Sequence, residues 1–312
     1  MWPRIDKLGL VPRLIVNADD FGLTPGVNRA VIELYQAGVL TSTTLMANAS
    51  ATDEAVQLAL ANPTLGVGCH IVLVDGSPVL SPLAIPNLAR GSGRTFRNTL
   101  GRFVRDLYSP GSTASSRSAL GAEIEAEATA QIRLLQSRGL KLTHVDTHKH
   151  THMFPAVLRP VLRAARACGI TRIRNPFDSA WSRRTAANVP WLRRAQVAAL
   201  SSLEAHALKI ISEHGFTTTD GTVGVLITGS LNAESLRRTL ANLPNGTWEF
   251  VTHPGYHDPD LDAVNTRLKA SREVERQALK AVKDFPDIEL ISFAGLESNL
   301  PTSKGTNAAP GS

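Results

Sequence analysis

Aromatic side chains are scarce in this chain: four Trp, three Tyr and nine Phe among 312 residues. Cysteine is scarcer still, since Cys69 and Cys168 are the whole complement and form no CxxC pair. A disulfide framework needs more thiols than that, so none organises the fold, and a reducing cytoplasm is the default compartment. No apolar run approaches the roughly 20 residues of a transmembrane helix. The opening Met1-Trp2-Pro3-Arg4-Ile5-Asp6 lacks the apolar stretch of a signal peptide. These absences lead us to expect a soluble protein, peripheral to a membrane at most. A long basic tract is also missing: the surplus of +6 comes scattered or in pairs such as Arg183-Arg184 and Arg193-Arg194. Without such a tract or an RNA-binding signature, nucleic acid is not the expected partner. Attraction to an anionic membrane surface is the better use of that charge.

What is present is an ordinary globular composition, 43% hydrophobic and 19% charged, on a chain long enough for a sizeable core. Short apolar strands alternate with helical stretches about eight times. Strands are expected at Leu14–Asp20, Thr43–Ala47, Leu65–His70, through the histidine-rich segment from His144, at Thr171–Arg174, near Phe216–Thr219, at Trp248–His253 and at Ile288–Ser292. A long loop is expected over 73–95 and a long helix over 191–213. Such alternation predicts a parallel sheet with helices around it. We expect a single-domain α/β fold: a (β/α) barrel, TIM-barrel-like, regular or distorted, over residues 13–298. Residues 1–12 form an N-terminal extension, and 299–312 a disordered tail rich in Ser, Gly and Ala. The barrel is preferred to an open sheet because Asp19-Asp20, His70, Asp146-His148, Arg174 and His253 each fall at the C-terminal end of a different strand. In a barrel those ends converge on one mouth, where active sites of this architecture lie.

The segment His144-Val145-Asp146-Thr147-His148-Lys149-His150-Thr151-His152 holds four of the nine histidines and an aspartate. On a strand these five side chains share one face, because successive residues point to opposite sides. Imidazole and carboxylate gathered so make a divalent-metal site or an acid/base site. By the same rule Asp19 and Asp20 diverge, so one can bind metal while the other takes a proton. One carboxylate with two neutral imidazoles leaves an ion open to water and substrate. Such an ion lowers the pKa of water and polarises a carbonyl. His253, in Thr252-His253-Pro254-Gly255-Tyr256, suits protonation of a leaving group.

Four stretches in order resemble the YdjC-like carbohydrate deacetylases, which include the chitooligosaccharide deacetylases. They are Asn17-Ala18-Asp19-Asp20-Phe21-Gly22, Gly68-Cys69-His70, Thr143 through Pro155, and Thr252-His253-Pro254-Gly255-Tyr256. The loop Ile71 to Leu80 is similar to the branch associated with hopanoid biosynthesis. The resemblance implies metal-dependent removal of the N-acetyl group from an amino sugar, here an N-acetylglucosaminyl hopanoid lipid. The alternatives are deacetylation of soluble chitooligosaccharides, or a non-catalytic sugar-binding module. It also implies that Asp20, His70 and His148 hold one divalent ion (Mg, Zn, Co, Mn or Ni), that Asp19 is the general base and that His253 is the acid. Asp146, His150, His152 and Arg174 are then substrate contacts or supports for the ligands. For a lipid-linked substrate, Trp181, Trp191 and the paired arginines of 175–211 are expected to form a membrane-facing lip at the inner face of the membrane. No feature speaks to the oligomeric state.

Overall fold

A computed structural model of the chain describes residues 11–109, 113–187 and 189–297. Residues 1–10 of the expected extension and the whole expected tail lie outside them. Among the described residues seven strands form one parallel sheet: β1 (Arg13–Phe21), β2 (Ser42–Leu45), β3 (Gly66–Ile71), β4 (Val145–Thr147), β5 (Gly221–Val223), β6 (Thr247–Thr252) and β7 (Glu289–Leu290). The hydrogen-bonded order is β4-β3-β2-β1-β6-β5, with β7 beside the start of β1. Helices fill the connections: α1 (Pro25–Gln36), α2 (Thr52–Ala61), α3 (Leu100–Leu107), α4 (Ala114–Ser137), α5 (Pro155–Ala167), α6 (Ala180–Thr185), α7 (Trp191–Ser201), α8 (Glu204–Glu213), α9 (Ala233–Leu240), α10 (Pro259–Ala263) and α11 (Ala270–Leu279). The sheet curls into a half-barrel, and isolated bridges extend its pairing: Val145 with Ile173, Arg172 with Thr217, and Asp178 with Thr222. Of two expected strands, 171–174 is reduced to isolated bridges at Arg172 and Ile173, and 216–219 to one at Thr217. This is the distorted form of the expected barrel.

Alternation along β1 shows how the wall is built. Leu14, Val16 and Ala18 belong to the main apolar core, whereas Ile15 packs with Phe293 and Leu296 in a small separate cluster. Asn17 and Asp19, on the same face as Ile15, touch each other through Nδ2 and Oδ1 at 2.9 Å. The interior is thus apolar at the N-terminal end and polar at the C-terminal end. Phe293 plugs the lower end: it stacks on the His144 ring at 3.7 Å, and its N–H donates to Ser42 Oγ at the start of β2. His144 is fully buried there, which pushes its pKa down to about 3 despite nearby Asp146, so it is a neutral core ring.

The long loop after β3 is held in place by one face of α4. Gln131 pairs with the backbone N–H and C=O of Val72; Glu127 accepts from Val79 and Leu80; Glu123 accepts from Asn87 and Leu88. These three residues recur every four positions, one stripe of the helix. The expected long helix over 191–213 is two helices that break at Ser202-Leu203. Trp181 is half-buried, its ring packed edge-on against Trp248 at 5.3 Å near the start of β6.

One glycine on this wall has no room to spare. A Cβ on Gly68 would lie 2.5 to 2.7 Å from three atoms of the His144 ring, which Phe293 holds from the other side. Gly68→Ala is expected to destabilise the protein by about 1–3 kcal/mol, the usual cost of overpacking a core. Gly101→Ala, where a Cβ meets nothing within 4 Å, is expected to be neutral or stabilising. Urea unfolding of both variants checks the contrast.

Candidate metal centre

β1 delivers two adjacent carboxylates to one place, which a regular strand does not do. Its register with β2 shifts between Ala18 and Phe21, and Asp20 is left-handed at φ 65°. An irregularity of this kind re-aims the side chains beyond it. Both aspartates are consequently buried at the mouth beside His70. The sequence-based expectation that they diverge is corrected: the bulge cancels the alternation.

The two carboxylates are held differently. Asp19 Oδ1 accepts from Arg174 Nη2 at 2.6 Å, Asn17 Nδ2 at 2.9 Å and Thr44 Oγ1 at 3.2 Å; its Oδ2 accepts from Arg174 Nη1 at 2.8 Å. Burial opposes its ionisation, but Arg174, with His70 and His253, holds the carboxyl far below the usual range. Asp20 Oδ2 accepts from Arg272, while its buried Oδ1 has no hydrogen-bond partner among the described residues. Burial opposes ionisation here too, and Arg272, His148 and His70 outweigh it.

Around that free oxygen stand two imidazoles. Asp20 Oδ1 is 3.5 Å from His70 Nε2 and 3.4 Å from His148 Nδ1, and the two nitrogens are 3.3 Å apart. A tetrahedral ion about 2.1 Å from each ligand sets its ligand atoms about 3.4 Å apart. The residues present therefore fit a small divalent cation. The far nitrogen of His70 is tied to Asp146 Oδ1 at 2.7 Å, a carboxylate–histidine pair of the kind that orients metal-binding imidazoles. A second cluster, Asp19, His70 and Asp146, also brings ligand atoms within 4.8 Å. Its carboxylates are already committed to Arg174 and to His70 Nδ1, so it fits a cation less well.

Buried charge around the centre is closely matched. Asp19, Asp20, Asp146 and Glu249 are all buried, against two buried guanidinium groups, Arg174 and Arg272. Burial disfavours a charged His70, yet Asp146, with Asp20 and Asp19, pushes its pKa up to about 10. A charged His70 with Arg174 and Arg272 balances the three aspartates, so a cation at His70 Nε2 would take the place of that proton. Burial pushes Glu249 up to about 7 against the pull of Arg174.

The other expected residues fall into place around this centre. Arg174, fully buried, binds Asp19, Asp146 and Glu249 together. His152, also fully buried, contacts Thr147 Oγ1 at 2.7 Å and the Arg174 carbonyl at 3.2 Å. His150 is half-buried, and its Nδ1 has no hydrogen-bond partner among the described residues. His253 Nε2 lies 3.8 Å from Asp19 Oδ2, and its N–H donates to buried Glu275. The single-face arrangement expected for His144 through His152 is not found. β4 stops at Thr147, and a 3-10 turn over His148–Met153 follows, with Lys149 and His150 left-handed. Sequence reasoning missed Glu249, Arg272 and Glu275. Glu249, a carboxylate inside an apolar strand, was a readable signal; the helical residues Arg272 and Glu275 carried none.

Replacing Arg174 tests the network. Arg174→Met leaves three carboxylates buried without their common cation, and a loss of about 3–5 kcal/mol is expected at neutral pH. Carboxyl groups without the guanidinium titrate higher in the folded than in the unfolded chain, so the penalty grows as pH rises from 4 to 7. Urea unfolding of the chelated proteins at both pH values checks this; equal stability at pH 7 contradicts it.

Known proteins align with this chain over nearly its whole length. A carbohydrate deacetylase of Brevibacillus brevis is 35% identical over 290 residues, 91% of this chain and 99% of that protein. One of Thermoanaerobacter pseudethanolicus is 31% identical over 266 residues, 85% of this chain and 90% of that protein. Among solved structures, a protein of Enterococcus faecalis V583 named for cellobiose-phosphate cleavage superposes with a TM-score of 0.67. It is 23% identical, over 91% of this chain and 98% of that one, and shares the fold. The model of the YdjC-like protein family matches residues 13–283, from the first strand to just past α11, and the chain belongs to that family.

Proposed function

We propose that this protein is a metal-dependent carbohydrate deacetylase, a hydrolase that removes the N-acetyl group from an amino sugar. The observation that carries the reading is the triangle of Asp20 Oδ1, His70 Nε2 and His148 Nδ1, with sides of 3.3 to 3.5 Å, beside a separately held carboxylate. The names of the two curated relatives agree with it. Asp20, His70 and His148 would hold one divalent ion. When bound, such an ion lowers the pKa of water and polarises a carbonyl oxygen. The mixed oxygen and nitrogen donors suit zinc, cobalt, manganese or nickel better than magnesium.

The chain's own residues supply the proton steps. Arg174 keeps Asp19 ionised and fixed, the form a proton acceptor must have. Asp19 takes a proton from the attacking water as the water oxygen bonds to the acetyl carbon. His253, next to Asp19, gives a proton to the nitrogen as the carbon–nitrogen bond breaks. Acetate and the free amine leave. A lipid-linked sugar, N-acetylglucosaminyl hopanoid, is the finer substrate reading. Trp191 and Leu192, 78% and 55% exposed beside Arg193 and Arg194, would serve a membrane contact for it.

Acetate release tests the proposal, with chitobiose and the N-acetylglucosaminyl lipid as alternative substrates. Activity is expected to vanish on chelation and return with divalent metal. Asp19→Asn is expected to lower kcat by about a hundredfold or more while one ion per chain remains. Near-normal turnover by Asp19→Asn rules out its role as the base. A wild type that binds the sugars but releases no acetate with any metal makes the protein a binding module.

A further inference from the structure

We propose that Arg272 is a positioning residue that presents one oxygen of Asp20 to the cation, and that Gly255 is there to let Arg272 reach. This rests on the cation reading of the site given above. Asp19 and Asp20 are chemically identical neighbours, so what separates them is the way each is held. Arg174 takes both oxygens of Asp19. Arg272, 1% exposed, gives Asp20 a single N–H at Oδ2, and its Nε and Nη1 have no hydrogen-bond partner among the described residues. This hold engages one oxygen and leaves Oδ1 facing His70 and His148. Without it, Asp20 can turn about its side-chain bonds and present either oxygen or neither. Arg272 comes from α11, far along the chain, so the hold depends on tertiary packing.

Gly255 accounts for that packing. Its N–H donates to the Arg272 carbonyl at 3.3 Å. A Cβ at Gly255 would lie 3.0 Å from Arg272 Cδ and 3.2 Å from Arg272 Cβ. The arginine stem thus lies flat against a position where any side chain would crowd it. The glycine of the Thr252-His253-Pro254-Gly255 motif is explained by its contact with the Arg272 stem, on the same helix whose Glu275 accepts from the His253 N–H. Because Arg272 uses one N–H, a lysine can replace it; Arg174, which uses its whole fork, cannot be so replaced.

The test measures Co²⁺ binding and its visible absorption on the chelated full-length protein, with unfolding midpoints as a control for folding. Arg272→Met is expected to raise the Co²⁺ Kd by about 10–100-fold, the usual effect of removing a residue that orients a ligand, and to change the absorption bands. Arg272→Lys is expected to return most of the affinity, and Gly255→Ala to weaken binding in the same direction as Arg272→Met. If Arg272→Met binds Co²⁺ as tightly as wild type with the same spectrum, or more tightly, the proposal is overturned. His148→Ala separates the two levels of the account. If it leaves wild-type affinity unchanged, the cation reading itself fails, and Arg272 has no ligand to position.

Discussion

Everything at the mouth depends on one buried guanidinium. Arg174 is fully enclosed and holds Asp19, Asp146 and Glu249 at once. Each buried carboxylate carries a desolvation cost of several kcal/mol, and only close, multiply bonded counter-charge offsets it. The consequences pass outward from there. Asp146 orients His70, His70 turns its other nitrogen toward Asp20 and His148, and Asp19 stays ionised beside His253. His152 completes the support from behind through the Arg174 carbonyl. The strands bring these groups together beside the triangle of Asp20, His70 and His148.

The barrel class and the convergence of strand ends were legible in the sequence, because both follow from alternation of apolar runs with helices and from polar residues at run ends. The donors Asp20, His70 and His148 do meet, as the spacing and the resemblance implied. The geometry that brings them together was not legible. Strand alternation separates Asp19 from Asp20 and aligns His144 through His152, and both inferences fail at backbone irregularities. The bulge after Ala18 and the left-handed Lys149 and His150 are set by tertiary contacts, which periodicity does not record. The strands expected at 171–174 and 216–219 survive as isolated bridges for a similar reason: short segments gain their pairing from neighbours rather than from their own composition.

The loop after β3 shows the same division. Its length and its Pro, Gly and Ser content mark it as functional ground, but nothing in it shows that it is fixed. Its order comes from Glu123, Glu127 and Gln131, whose stripe on α4 reads in sequence as a solvated helix face. Their side chains instead satisfy backbone N–H groups of the loop. The loop that follows β3 is thus pinned to α4 along its length.

The central claim is that Asp20, His70 and His148, rather than Asp19, His70 and Asp146, hold the cation. Anomalous X-ray diffraction from crystals of the protein soaked in Co²⁺ tests it most directly. The account predicts one strong peak about 2 Å from Asp20 Oδ1, His70 Nε2 and His148 Nδ1, with Arg174 still on both oxygens of Asp19. A peak between Asp19 and Asp146, or none within reach of His148, would contradict it.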